Sequence, residues 1–206
     1  MSTRRNLVGL AAAVGMLLVP VTPAYALVKI FSPVGGNVTG TGGEAVFFGR
    51  ITCSKFKASG KINRSGTAKS KVLQKVTYEG CMFSLLKVKN FTIQEQSLNL
   101  ALGGLEVNSV SFHTPTVIEV EGVNQCDITI PAPEAGPNNL LIPGVTYTSE
   151  PGKKVKAEVN IAKGAEGVKF ETNLENCGAL EKEEGERGAY KATETVEPAE
   201  IVEVKE

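Results

Sequence analysis

The stretch VKAEVNI (residues 155–161) places apolar residues at every second position, with charged or polar residues between them. Successive side chains of a β-strand point to opposite faces, so this alternation predicts a strand with one buried face. The stretch VKFETNL (residues 168–174) repeats the pattern, and Gly164 and Gly167 lie between the two stretches. Because glycine favours turns, we predict that the two stretches form a β-hairpin.

Similar runs elsewhere predict further strands at residues 72–78, 86–93, 98–102, 126–130 and 190–196. Glycine pairs predict turns at residues 35–36, 42–43 and 103–104, and four prolines predict a loop over residues 131–143. No stretch after Ala26 combines the period of a helix with capping residues. The sequence therefore predicts an all-β fold, an antiparallel sandwich or barrel-like domain of about ten short strands.

The N-terminal segment has the three zones of a secretory signal peptide. Arg4 and Arg5 precede an apolar run over residues 7–19, and Ala24 and Ala26 form a small-x-small cleavage pattern. We expect cleavage after Ala26. The apolar run is shorter than the ~20 residues that a transmembrane helix needs, so we favour a signal peptide over an N-terminal anchor or a buried core helix. The arginine pair leaves both the Sec and the twin-arginine export routes open.

The expected product is a secreted, extracellular protein with no stable membrane anchor. Residues 1–26 form the signal peptide, and residues 27–196 are expected to form a single β-rich domain. Residues 197–206 are expected to form an acidic C-terminal tail or an edge strand. Nothing in the sequence determines the oligomeric state.

The four cysteines all follow the signal peptide, and an even number in an exported chain predicts two disulfides. They are spaced 28, 45 and 51 residues apart, without the close ligand pairs of a zinc site, at Cys53, Cys81, Cys126 and Cys177. Four cysteines allow three pairings. We favour the sequential one, Cys53 with Cys81 and Cys126 with Cys177, because it closes two separate loops.

The charge is balanced overall, with 22 basic and 22 acidic residues, so composition gives no indication of a nucleic-acid partner. The region from Arg50 to Lys89 nevertheless holds ten basic residues and one acid, Glu79. It could form a patch for anionic cell-envelope polymers. For this stretch we favour the other interpretation, a solvated sheet face whose lysines also prevent edge-to-edge aggregation. The candidate patch residues are Arg50, Lys55, Lys57, Lys61, Lys87 and Lys89.

Several short motifs resemble a group of small secreted β-proteins of actinobacteria that has no established activity. The motifs are ITCS (residues 51–54), YEGC (78–81), CDITIP (126–131), GVTY (144–147), GVKF (167–170), NCG (176–178) and GAY (188–190). This resemblance implies export, β-structure, two sequential disulfides and no catalytic residue. The present chain is richer in lysine and glutamate than those proteins.

The sequence shows no motif for catalysis, metal binding or cofactor binding. His113 is the only histidine, and no G-x-S-x-G elbow is present. Asp127 is the only aspartate, whereas calcium loops use several. We therefore expect a non-catalytic structural or binding protein at the cell envelope or outside the cell, without metal or cofactor. The alternatives are an extracellular hydrolase that uses carboxylates or His113, and an inhibitor that presents the 131–143 loop.

Overall fold

A computed structural model of the chain describes residues 27–64, 70–100, 108–121, 126–131, 142–164, 167–172, 177 and 187–205. The signal peptide, the turn at residues 103–104 and most of the 131–143 loop lie outside these ranges. The described residues form antiparallel β-structure, which confirms the predicted fold class. In these ranges no helix is long and apolar enough to span a membrane.

The described residues form 17 strands, whereas about ten were predicted. Several of the additional strands are only two or three residues long. The strands are β1 (Leu27–Ser32), β2 (Asn37–Phe47), β3 (Ile51–Arg64), β4 (Ser70–Phe83), β5 (Leu86–Val88), β6 (Phe91–Leu100), β7 (Ser109–Phe112), β8 (Thr116–Val120), β9 (Cys126–Ile130), β10 (Ile142–Pro143), β11 (Val145–Glu150), β12 (Lys154–Ile161), β13 (Val168–Lys169), β14 (Glu171–Thr172), β15 (Arg187–Gly188), β16 (Tyr190–Glu197) and β17 (Glu200–Lys205).

The main sheet runs in the order β11-β12-β16-β2-β3-β4 and divides at β4. The first half of β4 pairs with β6, and its end pairs with β5, which leads on to β8, β9 and β14. On the first branch, β6 pairs with β7, and β7 pairs with β10. Two further two-stranded sheets consist of β1 with β17 and β13 with β15.

One short segment closes the first branch into a barrel-like ring. β10 pairs with β7, and β11, only one residue later, pairs with β12. The residue between them is Gly144, whose φ of +105° suits glycine. A Cβ at this position would lie 2.4 Å from the carbonyl oxygen of Asn160. Gly144 therefore allows the chain to change partner strand while its backbone stays against β12.

The interior of this ring is filled by alternate residues of its strands, as the period of two predicts. Val155, Ala157, Val159 and Ile161 of β12 are all buried. Aromatic rings pack around Phe47, whose ring centroid lies 4.8–6.1 Å from the centroids of Phe48, Tyr78, Phe91 and Tyr190. These edge and tilted contacts anchor the interior between β2, β4, β6 and β16.

The predicted hairpin of residues 155–161 with residues 168–174 is wrong. β12 pairs with β11 on one side and β16 on the other, so both of its edges are occupied. The second stretch is divided between β13, which pairs with β15, and β14, which pairs with β9. The alternation predicted the strand character correctly, but it contains no information about which strand is the partner.

The predicted turn at residues 42–43 is also wrong, because both glycines lie inside β2. The pairing of β2 with β16 shifts register here, between Ala192 and Glu194. A Cβ at Gly42 would lie 2.1 Å from the ring of Phe56 and 2.6 Å from the carbonyl oxygen of Thr193. Gly42 is therefore required for close packing at a bulge and not for a change of chain direction.

Both disulfides have the predicted sequential pairing, Cys53 with Cys81 and Cys126 with Cys177. Cys53 and Cys81 lie directly opposite each other on β3 and β4. Cys126 opens β9, so its bond to Cys177 ties a distant part of the chain to the second branch of the sheet. Such bonds are compatible with an oxidising, extracellular environment.

Candidate functional site

Four lysines lie in a zigzag on the outer face of β3 and β4. The register places Lys57 opposite Thr77 and Lys61 opposite Leu73. Lys75 is therefore a diagonal neighbour of both β3 lysines, and Lys71 is a diagonal neighbour of Lys61, at Cβ separations of roughly 7–8 Å. We call Lys57, Lys61, Lys71 and Lys75 the lysine face. Lys71 is half-buried and the other three are exposed.

None of these four lysines forms an ion pair with a residue that the structure describes. Two acids lie near the face in the pairing pattern. Glu95 lies on the bulge of β6 opposite Lys75, and Glu79 is bonded to Lys55. The lysine face is therefore a surface of concentrated positive charge. Its like charges occupy neighbouring positions of the sheet and repel one another.

The other candidate patch residues have different surroundings. Lys55 forms an ion pair with Glu79 at 3.0 Å, and this pairing, with a smaller effect of Lys57, lowers the pKa of the Glu79 carboxyl. Lys89 pairs with Glu119 across to β8. Arg50 lies in the turn between β2 and β3, and Lys87 lies on β5. The sequence-predicted set is thus split, and only Lys57 and Lys61 belong to the lysine face.

Protection of a sheet edge does not explain the lysine face. Lysines protect edges by preventing another strand from pairing with exposed backbone groups. β3 pairs with β2 and β4 along its length, and the first half of β4 pairs with β3 and β6. The backbone beneath the lysines is therefore already paired on both sides.

His113 contacts a serine, as a hydrolase would require, but this serine is buried. His113 Nε2 and Ser97 Oγ are in hydrogen-bond contact, and the backbone N–H of His113 donates to the carbonyl oxygen of Glu95 at 2.9 Å. Burial, followed by the positive charge of Lys71, lowers the pKa of His113. Ser97 has 0% of its surface exposed. The Ser97 hydroxyl is therefore covered in this structure, and it forms a packed pair with the half-buried His113.

The interior contains a polar group that the search for motifs did not identify. Glu194 on β16 is 3% exposed, and Gln74 Nε2 on β4 donates to its Oε2 at 2.9 Å. Gln96 lies next to Gln74 in the register of β4 and β6 and is also buried. The sequence did indicate this buried carboxyl, because Glu194 lies on the apolar side of the alternating stretch 190–196, between Ala192 and Val196.

Three tyrosines accompany this polar group. The hydroxyls of Tyr78 and Tyr190 lie 2.8 Å apart, and the Tyr147 hydroxyl donates to the carbonyl oxygen of Asn99 at 3.0 Å. Burial, and to a smaller extent the negative charge of Glu194, raises the pKa of all three. The interior therefore disfavours negative charge, which is the expected effect of low polarity around ionisable groups.

Comparison with known proteins provides no functional assignment. No family model, no curated protein and no solved structure matches this chain. The resemblance to secreted actinobacterial β-proteins thus stays a prediction, and the functional conclusion depends on the geometry described above.

Proposed function

We propose that this is a secreted, non-catalytic binding protein that attaches to anionic polymers of the cell envelope through the lysine face. The zigzag of Lys57, Lys61, Lys71 and Lys75 is the observation that carries this proposal. Four positive charges occupy two central strands without an ion pair among the described residues. An anionic polymer laid across β3 and β4 would relieve their mutual repulsion.

Export is part of the same proposal. The expected cleavage after Ala26 would leave β1 (Leu27–Ser32) in the mature chain. β1 pairs over its full length with β17 near the C-terminus. The two disulfides are compatible with the extracellular location that this function requires.

The test is retention of the purified protein on immobilised polyphosphate and on neutral dextran over a range of salt concentrations. Polyphosphate should retain the protein at low salt, and added salt should weaken binding because it screens exposed charges. Replacing Lys57, Lys61 and Lys75 by glutamine should weaken binding roughly a hundredfold, at about 1 kcal/mol for each lysine near an anionic surface.

The matched control removes the same charge from lysines that already have partners. Lys154 pairs with Glu197, Lys156 with Glu158 and Lys169 with Glu171. The triple glutamine variant of these lysines should bind polyphosphate almost as well as the wild type. Equal losses in the two triple variants, or binding that does not depend on salt, would reject the lysine face as the binding site.

A further inference from the structure

The buried carboxyl of Glu194 and the amide of Gln74 form one hydrogen bond but lack a donor for a second one. Gln74 Nε2 donates to Glu194 Oε2 at 2.9 Å, which leaves Glu194 Oε1 and Gln74 Oε1 as the two remaining oxygens of the pair. Both of these oxygens are buried, and neither has a hydrogen-bond partner among the described residues. Two acceptors without a donor are costly in an apolar interior.

A single proton on Glu194 Oε1 would provide the donor that both oxygens need. A carboxylic acid and a primary amide can form two hydrogen bonds at once, in which each group donates to the other and accepts from it. The observed bond from Gln74 Nε2 is one half of this arrangement. The other half would be a bond from the Glu194 hydroxyl to Gln74 Oε1.

β2 leaves room for the carboxyl of this pair at Gly40, where a Cβ would lie 1.7 Å from Glu194 Oε1. At Gly60 a Cβ would meet the backbone of β4, 2.1 Å from the carbonyl oxygen of Leu73. The charge of Glu194 raises the pKa of the interior tyrosines Tyr78, Tyr147 and Tyr190. The pKa of Glu194 itself depends on its burial and on the hydrogen bond from Gln74. On the neighbouring strands, Glu44 of β2 and Glu158 of β12 are exposed, and Lys71 of β4 and Lys156 of β12 are half-buried.

We propose that Glu194 is an internal proton-binding site, held as a neutral carboxylic acid in a cyclic pair with Gln74, and that loss of its proton loosens the sheet around β2 and β16. Ionisation would release the proton to solvent, break the bond to Gln74 Oε1 and leave a negative charge among apolar side chains and tyrosines. The protein would then be more stable in mildly acidic surroundings than in alkaline ones.

The direction of the pH dependence follows from the pKa of Glu194. Burial raises this pKa from 4.5 to about 7, although the hydrogen bond from Gln74 acts in the opposite direction. The folded protein therefore holds the proton more tightly than the unfolded chain does. The stabilisation is complete below the unfolded pKa of 4.5, falls as the pH rises and is lost once the pH has passed about 7.

The experiment is urea unfolding of the purified full chain between pH 5 and pH 8. Linkage through Glu194 predicts that the unfolding equilibrium constant of the wild type increases roughly 70-fold over this range. Glu194→Gln keeps the shape of the pair but cannot ionise, so most of this increase should disappear. Exchanging the two groups, in the double variant Gln74→Glu with Glu194→Gln, should restore it.

Glu44→Gln is the matched control, because it makes the same change at an exposed position on β2. It should leave the dependence of stability on pH as in the wild type. His113, whose pKa is lowered by burial, contributes in the opposite direction and is present in every variant. An increase that persists in Glu194→Gln, or that does not return in the exchanged variant, would overturn the proposal.

A spectroscopic measurement on the wild type gives the answer even if a variant fails to fold. The carbon-13 resonances of the glutamate carboxyls should include one that titrates with a midpoint near pH 7. The infrared spectrum at pH 6 should also show the carbonyl band of a protonated carboxylic acid. Titration of every glutamate in the ordinary acidic range, near pH 4.3, would show that Glu194 is ionised and would end the proposal.

Discussion

The replacement of Gly40 by alanine tests whether the interior is built around the carboxyl of Glu194. The new Cβ would lie 1.7 Å from Glu194 Oε1 and 2.9 Å from the Cβ of Ala58. The carboxyl must move away, which breaks its hydrogen bond with Gln74. Overpacking costs about 1–3 kcal/mol, and the loss of a buried hydrogen bond costs about 1–3 kcal/mol more. We therefore expect Gly40→Ala to destabilise the protein by about 2–6 kcal/mol.

The assay is urea unfolding followed by circular dichroism and tyrosine fluorescence, since the chain contains no tryptophan. Gly43→Ala in the same strand is the control, because a Cβ at Gly43 meets nothing within 4 Å. This change should alter stability by less than about 0.5 kcal/mol.

Repeating Gly40→Ala in a Glu194→Ala background removes the carboxyl and leaves only the contact with Ala58. The cost of the glycine substitution should then fall by about 1–3 kcal/mol, which is the coupling expected of residues in contact. Equal costs in the two backgrounds would show that the carboxyl does not lie against Gly40, and the account of the interior would be refuted.

Two other predictions concern the tyrosines and the disulfides. Burial raises the pKa values of Tyr78, Tyr147 and Tyr190, so their ultraviolet absorbance should titrate at a higher pH in the folded protein than in the urea-unfolded chain. The free energy of unfolding should also fall as the pH rises above about 10, the ordinary pKa of tyrosine. Coincident titrations of the folded and unfolded protein would contradict the burial of the three tyrosines. Each disulfide should contribute about 3–4 kcal/mol by closing loops of 28 and 51 residues. Removing Cys126 and Cys177 should also speed amide exchange in β14, whereas removing Cys53 and Cys81 should not, because β3 and β4 stay paired along 13 residue positions.

The lysine face shows where prediction from the sequence ended. Lys57 and Lys61 lie an even number of residues apart on one strand, so the sequence alone places them on the same face. Lys75 joins them because β4 pairs with β3 in the register that sets it opposite Ser59. A shift of one residue would have turned Lys75 into the interior. Membership of the face therefore depended on the register between two strands.

Glu194 shows the same division. The alternation of residues 190–196 places this glutamate on the apolar side of its strand, and the sequence indicates burial of a carboxyl to that extent. The carboxyl's partner, Gln74, is 120 residues away in the chain. The two groups come together only because β16, β2, β3 and β4 are neighbours in the sheet, in that order, and both side chains point into the interior.

The sequence by itself determined the strand character of most of the chain and favoured the pairing of the cysteines. Alternation is a local property, because neighbouring side chains on a strand must face opposite sides. The tertiary structure alone decided which strands pair: β12 with β16 instead of β13, and β1 with β17 from the two ends of the described chain. Backbone hydrogen-bonding groups are the same in every strand, so a strand's own sequence does not specify its partner. That choice depends on how the apolar faces of all the strands can be buried together.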